Sequence, residues 1–190
     1  MSQFKFANSN EKVPGDGTPP AEFAIKAPPS TDIWSKPPSS IRFTAPILYQ
    51  SVPLESFKRA RAAFNAQWQK KYDQGGLIIV LNATDGSQKW VKTGIELTHG
   101  RPHLSVVTKD RWADWGLLPV PSGGAAATLE LVREQDNSLW IYLKSPIREV
   151  TWVFEEQNVQ DCWVGVYAAR PSSEGGELFV NFGHLVIDLA

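Results

Sequence analysis

The sequence predicts an all-β fold, a β-sandwich or jelly roll. Three observations carry that prediction. Apolar and polar residues alternate with a period of two in several stretches, the pattern of strands with two unlike faces. Turn signals, among them Asp85-Gly86-Ser87, His99-Gly100 and Asp136-Asn137-Ser138, separate those stretches. The runs are of strand length, and about ten of them fit in the chain. A chain of 190 residues holds one sizeable core.

Residues 1 to 40 are rich in Pro, Ser, Asn, Gly and Lys. The pairs Pro19-Pro20, Pro28-Pro29 and Pro37-Pro38 break helices and central strands, so this segment is expected to be a largely irregular arm. Its embedded Phe23, Ile25, Ile33 and Trp34 are expected to pin it along a body domain formed by residues 41 to 190. Ile41 to Tyr49 reads as short extended pieces around Pro46. Phe57 to Trp68 fits both a helical period and an alternation. The strand is preferred because everything after it is strand-like. Gly75 to Leu81 is nearly continuous apolar, a strand buried on both faces or a central one. Asp110 to Gly116 reads as an aromatic loop and Pro119 to Gly124 as a breaker. A second hairpin runs from Ala127 to Lys144. Val150 to Phe154, Cys162 to Ala169 and Leu178 to Leu189 supply three more strands.

The stretch from Tyr72 to Thr108 carries the chemistry. Trp90, Lys92, Gly94 and Glu96 alternate with Val91, Thr93, Ile95 and Leu97, and Thr98-His99-Gly100-Arg101 is a tight turn. With His99 and Gly100 at its centre, Glu96 faces His103, Gly94 faces Ser105 and Lys92 faces Val107. Trp90, Lys92, Glu96, His103 and Ser105 then share one side of the hairpin. Thr93, Ile95, Leu104 and Val106 share the other.

Composition excludes several function classes. A net charge of −1 gives no field to attract nucleic acid or an anionic membrane. Lys58, Arg59 and Arg61 are basic but lack a series of stacking aromatics. No apolar run reaches membrane-spanning length, and the polar start has no signal-peptide core, so a soluble cytoplasmic protein is expected. The single cysteine, Cys162, excludes an intramolecular disulfide and reads as a buried apolar residue. Neither a metal nor another cofactor is expected. His99 should point away from the His103 face, His184 reads as structural, and no zinc spacing or calcium loop occurs. Eight tryptophans are divided between core and, on a polar face, a stacking surface for sugars or flat ligands.

Tyr72-Asp-Gln-Gly-Gly-Leu77, Trp90-Val-Lys-Thr-Gly-Ile-Glu96, Gly100-Arg-Pro-His-Leu-Ser-Val-Val107, Asp114-Trp115 and Val164-Gly-Val-Tyr-Ala-Ala169 resemble a widespread family of domains of unknown function. That family includes the regulation-of-enolase protein of yeast. The resemblance runs over roughly residues 41 to 190. It implies a concanavalin A-like jelly-roll sandwich of two antiparallel sheets, the architecture of many lectins and glucanases, and it suggests a regulatory role. Arg170-Pro171 departs from the small residue and Pro usual in the family after that last strand.

Glucanases of this architecture flank the scissile bond with carboxylates spaced Glu-x-Asp-x-x-Glu. No such run occurs, and Glu130, Glu134 and Asp136 read as solvated surface. Glu96 opposite His103 is the pair best suited to chemistry, within hydrogen-bonding reach across a ladder. Lys92 lies roughly 13 Å from Glu96 along the strand, so the two tips converge only on a ligand or on a curved sheet. Three readings follow. In the first, a binding module takes a saccharide or other small molecule on Trp90, Lys92, Glu96, His103 and Ser105, rimmed by Gln74 and Trp115. In the second, a cofactor-independent isomerase, cyclase or hydrolase uses Glu96 and His103 as acid and base with Lys92 as anchor. The third is a regulator with a protein partner.

Overall fold

The computed structural model describes residues 3–190. In chain order the strands are β1 (Lys5–Ala7), β2 (Glu22–Ala27), β3 (Ile33–Lys36), β4 (Ser40–Phe43) and β5 (Ile47–Val52). Next come β6 (Phe57–Ala66), β7 (Gln74–Ala83), β8 (Gln88–Thr98), β9 (Arg101–Lys109) and β10 (Ala113–Pro119). Last are β11 (Ala126–Arg133), β12 (Leu139–Tyr142), β13 (Pro146–Val150), β14 (Val159–Ala169) and β15 (Leu178–Leu189). One sheet, called A here, has the order β1-β5-β14-β7-β8-β9-β10. The other, B, has the order β13-β12-β11-β6-β15-β2. Neighbours in both sheets run antiparallel.

Alternation decides which side chains meet between the sheets. Leu77, Ile79, Val91, Ile95, Leu104, Val106, Val164 and Val166 point inward from sheet A. Ala60, Ala62, Phe64, Leu129, Leu131, Ile141, Val180 and Phe182 meet them from sheet B. The opposite face of sheet B is solvated. There Arg59 and Arg61 pair with Glu130, and Arg59 also with Asp188, so the basic residues of β6 are matched by acids on β11 and β15.

The opposite face of sheet A is not solvated. β3 and β4 form a separate two-stranded hairpin. Ile33 of that hairpin is buried with Ile47, Ile78, Val80, Trp90, Val107 and Tyr167 in a second apolar cluster, with Trp34, Phe43 and Trp115 at its margin. This explains why β7 reads as continuously apolar: both of its faces are covered.

Two expectations are corrected and one is sharpened. Residues 3 to 40 are mostly outside strands and packed on the body through Phe23, Ile25, Ile33 and Trp34, and they also supply edge strand β1 of sheet A, edge strand β2 of sheet B and most of the β3–β4 hairpin. Asp110 to Gly116 is not a loop throughout, since residues 113–119 pair with β9 as β10. Val150 closes β13, and the expected strand after it is a 3₁₀ turn at Val153–Glu155. The central hairpin has the expected register, with Glu96 opposite His103, Gly94 opposite Ser105 and Lys92 opposite Val107. His99 and Gly100 take φ of +51° and +76° at its tip, the left-handed pair that matches strand twist in a two-residue turn.

Candidate functional site

Between the β3–β4 hairpin and sheet A lies a cavity of about 800 Å³. Its floor is built by β7 and β8. Lys92, Gly94 and Glu96 face it by alternation, Gln74 stands opposite Glu96, and Gly76 stands opposite Gly94. A Cβ on Gly94 would lie 2.0 Å from the Gly75 carbonyl oxygen, and one on Gly76 would lie 2.1 Å from that of Thr93. Glycine is therefore required at both positions, and it leaves a bare strip between Lys92 and Glu96. Along that strip the Lys92 ammonium donates a hydrogen bond to Gln74 Oε1. Gln74 Nε2 donates to the Tyr72 carbonyl at 3.2 Å and to Asp32 Oδ1 at 3.5 Å.

The walls come from the hairpin, from the segment before β7, from β9 and β10, and from the segment after β14. Trp34 and Tyr72 meet Trp115 edge to face, with ring centroids 6.0 and 6.1 Å apart. Lys36, Arg42 and Lys71 stand at the exposed rim. The wall holding Tyr72 is fixed from behind. Arg170 grips both oxygens of Asp73 at 2.8 and 2.7 Å and donates to the Gly176 carbonyl, while Asp73 also accepts the Gln69 and Lys70 amides. This pair is almost fully buried, and its bidentate geometry satisfies both charges. The departure at Arg170 thus has a structural role in shaping the cavity wall.

Electrostatics at the floor are unusual. Lys92 is 1% exposed and pairs with no carboxylate among the described residues. Burial pushes its ammonium below the ordinary lysine value, opposed by the charges of Asp32 and Glu96. Burial pushes the Glu96 carboxyl up. The Lys92 charge and the Ser105 hydroxyl, with Trp115 behind it, hold that rise back. Ser105 Oγ donates to Glu96 Oε2 at 2.8 Å, and Trp115 Nε1 donates to Ser105 Oγ at 3.0 Å. An acid held toward its neutral form beside a cation held toward its neutral form is an arrangement suited to proton transfer or to a polar ligand.

Of the residues singled out from the sequence, Gln74, Lys92, Glu96 and Trp115 line this cavity. Trp90 does not. It is buried in the second apolar cluster, its ring 5.8 Å from the Lys92 ammonium. Ser105 stands behind Glu96 as its donor. His103 stands off the cavity, and its Nδ1 lies 2.9 Å from the Arg101 carbonyl. The hydrogen bond expected between Glu96 and His103 is replaced by two others: Glu96 Oε2 accepts from Ser105, and His103 Nδ1 lies against the Arg101 carbonyl. His99 does not turn away either: its left-handed backbone brings its ring edge-on to His103, 6.1 Å between centroids.

A sequence profile described as "Protein of unknown function (DUF1349)" matches residues 10–188. The chain belongs to this family. An uncharacterized protein of Emericella nidulans, AN7484, is 68% identical over 194 residues, which is 100% of this chain and 97% of that one. A functionally unknown protein from Saccharomyces cerevisiae has a crystal structure that superposes with a TM-score of 0.77 at 21% identity, covering 99% of this chain and 97% of that one. Alginate lyase A1-II′, a member of polysaccharide lyase family 7, superposes with a TM-score of 0.59 at 12% identity, over 94% of this chain and 82% of the lyase. At such identities the two structures speak for the fold alone, a jelly-roll sandwich shared with carbohydrate-active proteins.

The DUF1349 match begins at residue 10, so the family includes the β3–β4 hairpin. Asp32, Trp34, Lys36 and Arg42 are the cavity residues that reasoning from the sequence did not find. One signal was available: Ile33 and Trp34 are too apolar for a free arm. Tyr72 opens the stretch singled out from the sequence but has no role assigned there, and Lys71 and Ser172 carried no signal, since their place depends on how the segments fold over the floor. Among the described residues no cluster of His, Cys, Asp and Glu could hold a metal. A second cavity of about 580 Å³ lies by Glu156, Arg133 and Asp161. These three charged groups already have partners, in Lys89, in Asn137, and in Ser51 and Trp163.

Proposed function

We propose that the protein is a binding module that takes a small polar ligand, a saccharide, in the cavity between the β3–β4 hairpin and sheet A. The observation that carries this reading is convergence: three aromatic rings and three buried polar groups, Gln74, Lys92 and Glu96, meet around one space of about 800 Å³. A cavity of that size with aromatic walls and a few placed polar groups is the usual form of a small-ligand site. Rings serve sugars well, because a pyranose presents a flat C–H face to stack. A neighbouring fold that acts on alginate supports the saccharide class by analogy. Cytoplasmic residence belongs to the same reading. The test is a thermal-shift screen against neutral and acidic mono- and oligosaccharides, since a ligand that binds only the folded state raises Tm. A reproducible rise that Trp115→Ala removes supports the reading. No rise with any saccharide overturns it.

A second reading, a cofactor-independent isomerase, cyclase or hydrolase, is favoured by one observation, two buried titratable groups, Glu96 and Lys92, on one cavity floor. With His103 off the cavity, Asp32 is the other carboxylate on its lining. In this reading Glu96→Gln abolishes turnover of a bound sugar while leaving its affinity nearly unchanged. Unchanged turnover in that variant sinks it.

A further inference from the structure

Among the described residues Lys26, Arg59, Arg61, Lys70, Lys89, Arg148 and Arg170 each pair with a carboxylate, while exposed cations such as Lys58 and Arg101 are solvated and pair with none. The four cations that line the cavity, Lys36, Arg42, Lys71 and Lys92, pair with none among the described residues. The cavity also holds two carboxylates, yet both are turned to neutral donors. Asp32 Oδ1 accepts the Ile33 amide at 2.8 Å and the Gln74 side chain at 3.5 Å, and Glu96 accepts Ser105.

Lys92 is the decisive residue. An ammonium has three hydrogens to donate, and here one goes to the neutral oxygen of Gln74. The rings of Trp90 and Tyr167 lie 5.8 and 5.5 Å away and supply only weak attraction. Taking an ammonium out of water is costly unless an anion answers it. Lys92 has no carboxylate in direct contact, and Asp32 and Glu96 on the same lining oppose its loss of charge only from a distance, so an incoming anion is the group that would hold it as an ammonium, with three more cations at the mouth.

We propose that the ligand is an acidic sugar, one whose carboxylate or phosphate docks on the Lys92 ammonium while its ring lies against Trp34, Tyr72 and Trp115. This rests on the saccharide reading above and narrows it to a charge class. The anion supplies the partner missing at Lys92, and Lys36, Arg42 and Lys71 steer it in. Gly76 and Gly94 leave the strip of floor over which that group can approach the ammonium.

The test is calorimetric titration of the full chain with three sets of sugars of matched gluco, galacto and manno configuration: uronates, aldose phosphates and the neutral parents. Uronates or phosphates, and not the parents, are expected to bind, which also tells carboxylate from phosphate. Lys92→Met is expected to weaken that binding about 30-fold or more, the ratio that about 2 kcal/mol gives at about 1.4 kcal/mol per decade. Because a floor variant can perturb folding, Arg42→Gln at the exposed rim is the second probe, with an expected loss of about two- to fivefold. Neutral parents binding as tightly as their acids would overturn the acidic-sugar proposal and leave the saccharide reading standing. Binding of an acid that neither variant weakens overturns it too. No binding by any of the three sets overturns both.

Discussion

At the scale of single residues, Glu96 and Lys92 set the pH response. The Glu96 carboxyl is raised, so the folded state holds its proton more tightly than the unfolded chain does. Its contribution to stability is fully present below the unfolded carboxylate value, about 4.3, and is lost as pH rises through the folded value. The Lys92 ammonium is lowered, so here the unfolded chain binds the proton more tightly. Stability from this group therefore rises with pH until the unfolded lysine value, about 10.4, is passed. Urea midpoints between pH 4 and pH 10 are expected to show the first effect vanish in Glu96→Gln, which keeps the shape and the Ser105 donor but does not ionise. An unchanged profile in that variant would assign the slope to other groups. Arg170→Ala makes a separate prediction. It leaves Asp73 buried without its cation and is expected to cost about 3–5 kcal/mol in urea unfolding. A loss under about 1 kcal/mol, as for an exposed ion pair, would show that the clamp is dispensable.

At the scale of elements, β7 and β8 are the rigid floor and the β3–β4 hairpin is the wall that completes the cavity. Gly94→Ala is expected to destabilise the chain by about 1–3 kcal/mol, since its Cβ meets backbone that cannot move aside cheaply. A variant as stable as the parent would mean that the two strands part more easily than their pairing implies. The floor was legible in the sequence because it is local. A two-residue turn fixes the register, and from the register follow the side and spacing of Lys92, Gly94 and Glu96. The wall was not legible, because the hairpin reaches sheet A from far along the chain. Prolines around Ile33 and Trp34 speak for irregular structure locally, and only the apolar cluster they join overrides that. His103 failed as Glu96's partner for a related reason. Register shows which residues face each other, but not that Glu96 turns to Ser105 and His103 to the Arg101 carbonyl.

At the scale of the molecule, the two faces of the sandwich are put to different uses. Sheet B turns a face of matched charges to solvent. Sheet A turns toward a cavity a face with a buried lysine that contacts no carboxylate directly, a local arrangement that folding alone does not favour. Folds accept such unfavourable groups at sites of function, where stability and binding pull in opposite directions. The measurement that tests this most directly needs no ligand: urea unfolding of Lys92→Met beside the wild type in plain buffer near neutral pH. Methionine fills the space of the lysine stem without its charge, so the variant is expected to be as stable as the wild type or more stable, by about 1 kcal/mol. A loss of about 2 kcal/mol or more would contradict the central claim, because Lys92 would then be a structural residue whose partners within the chain are sufficient.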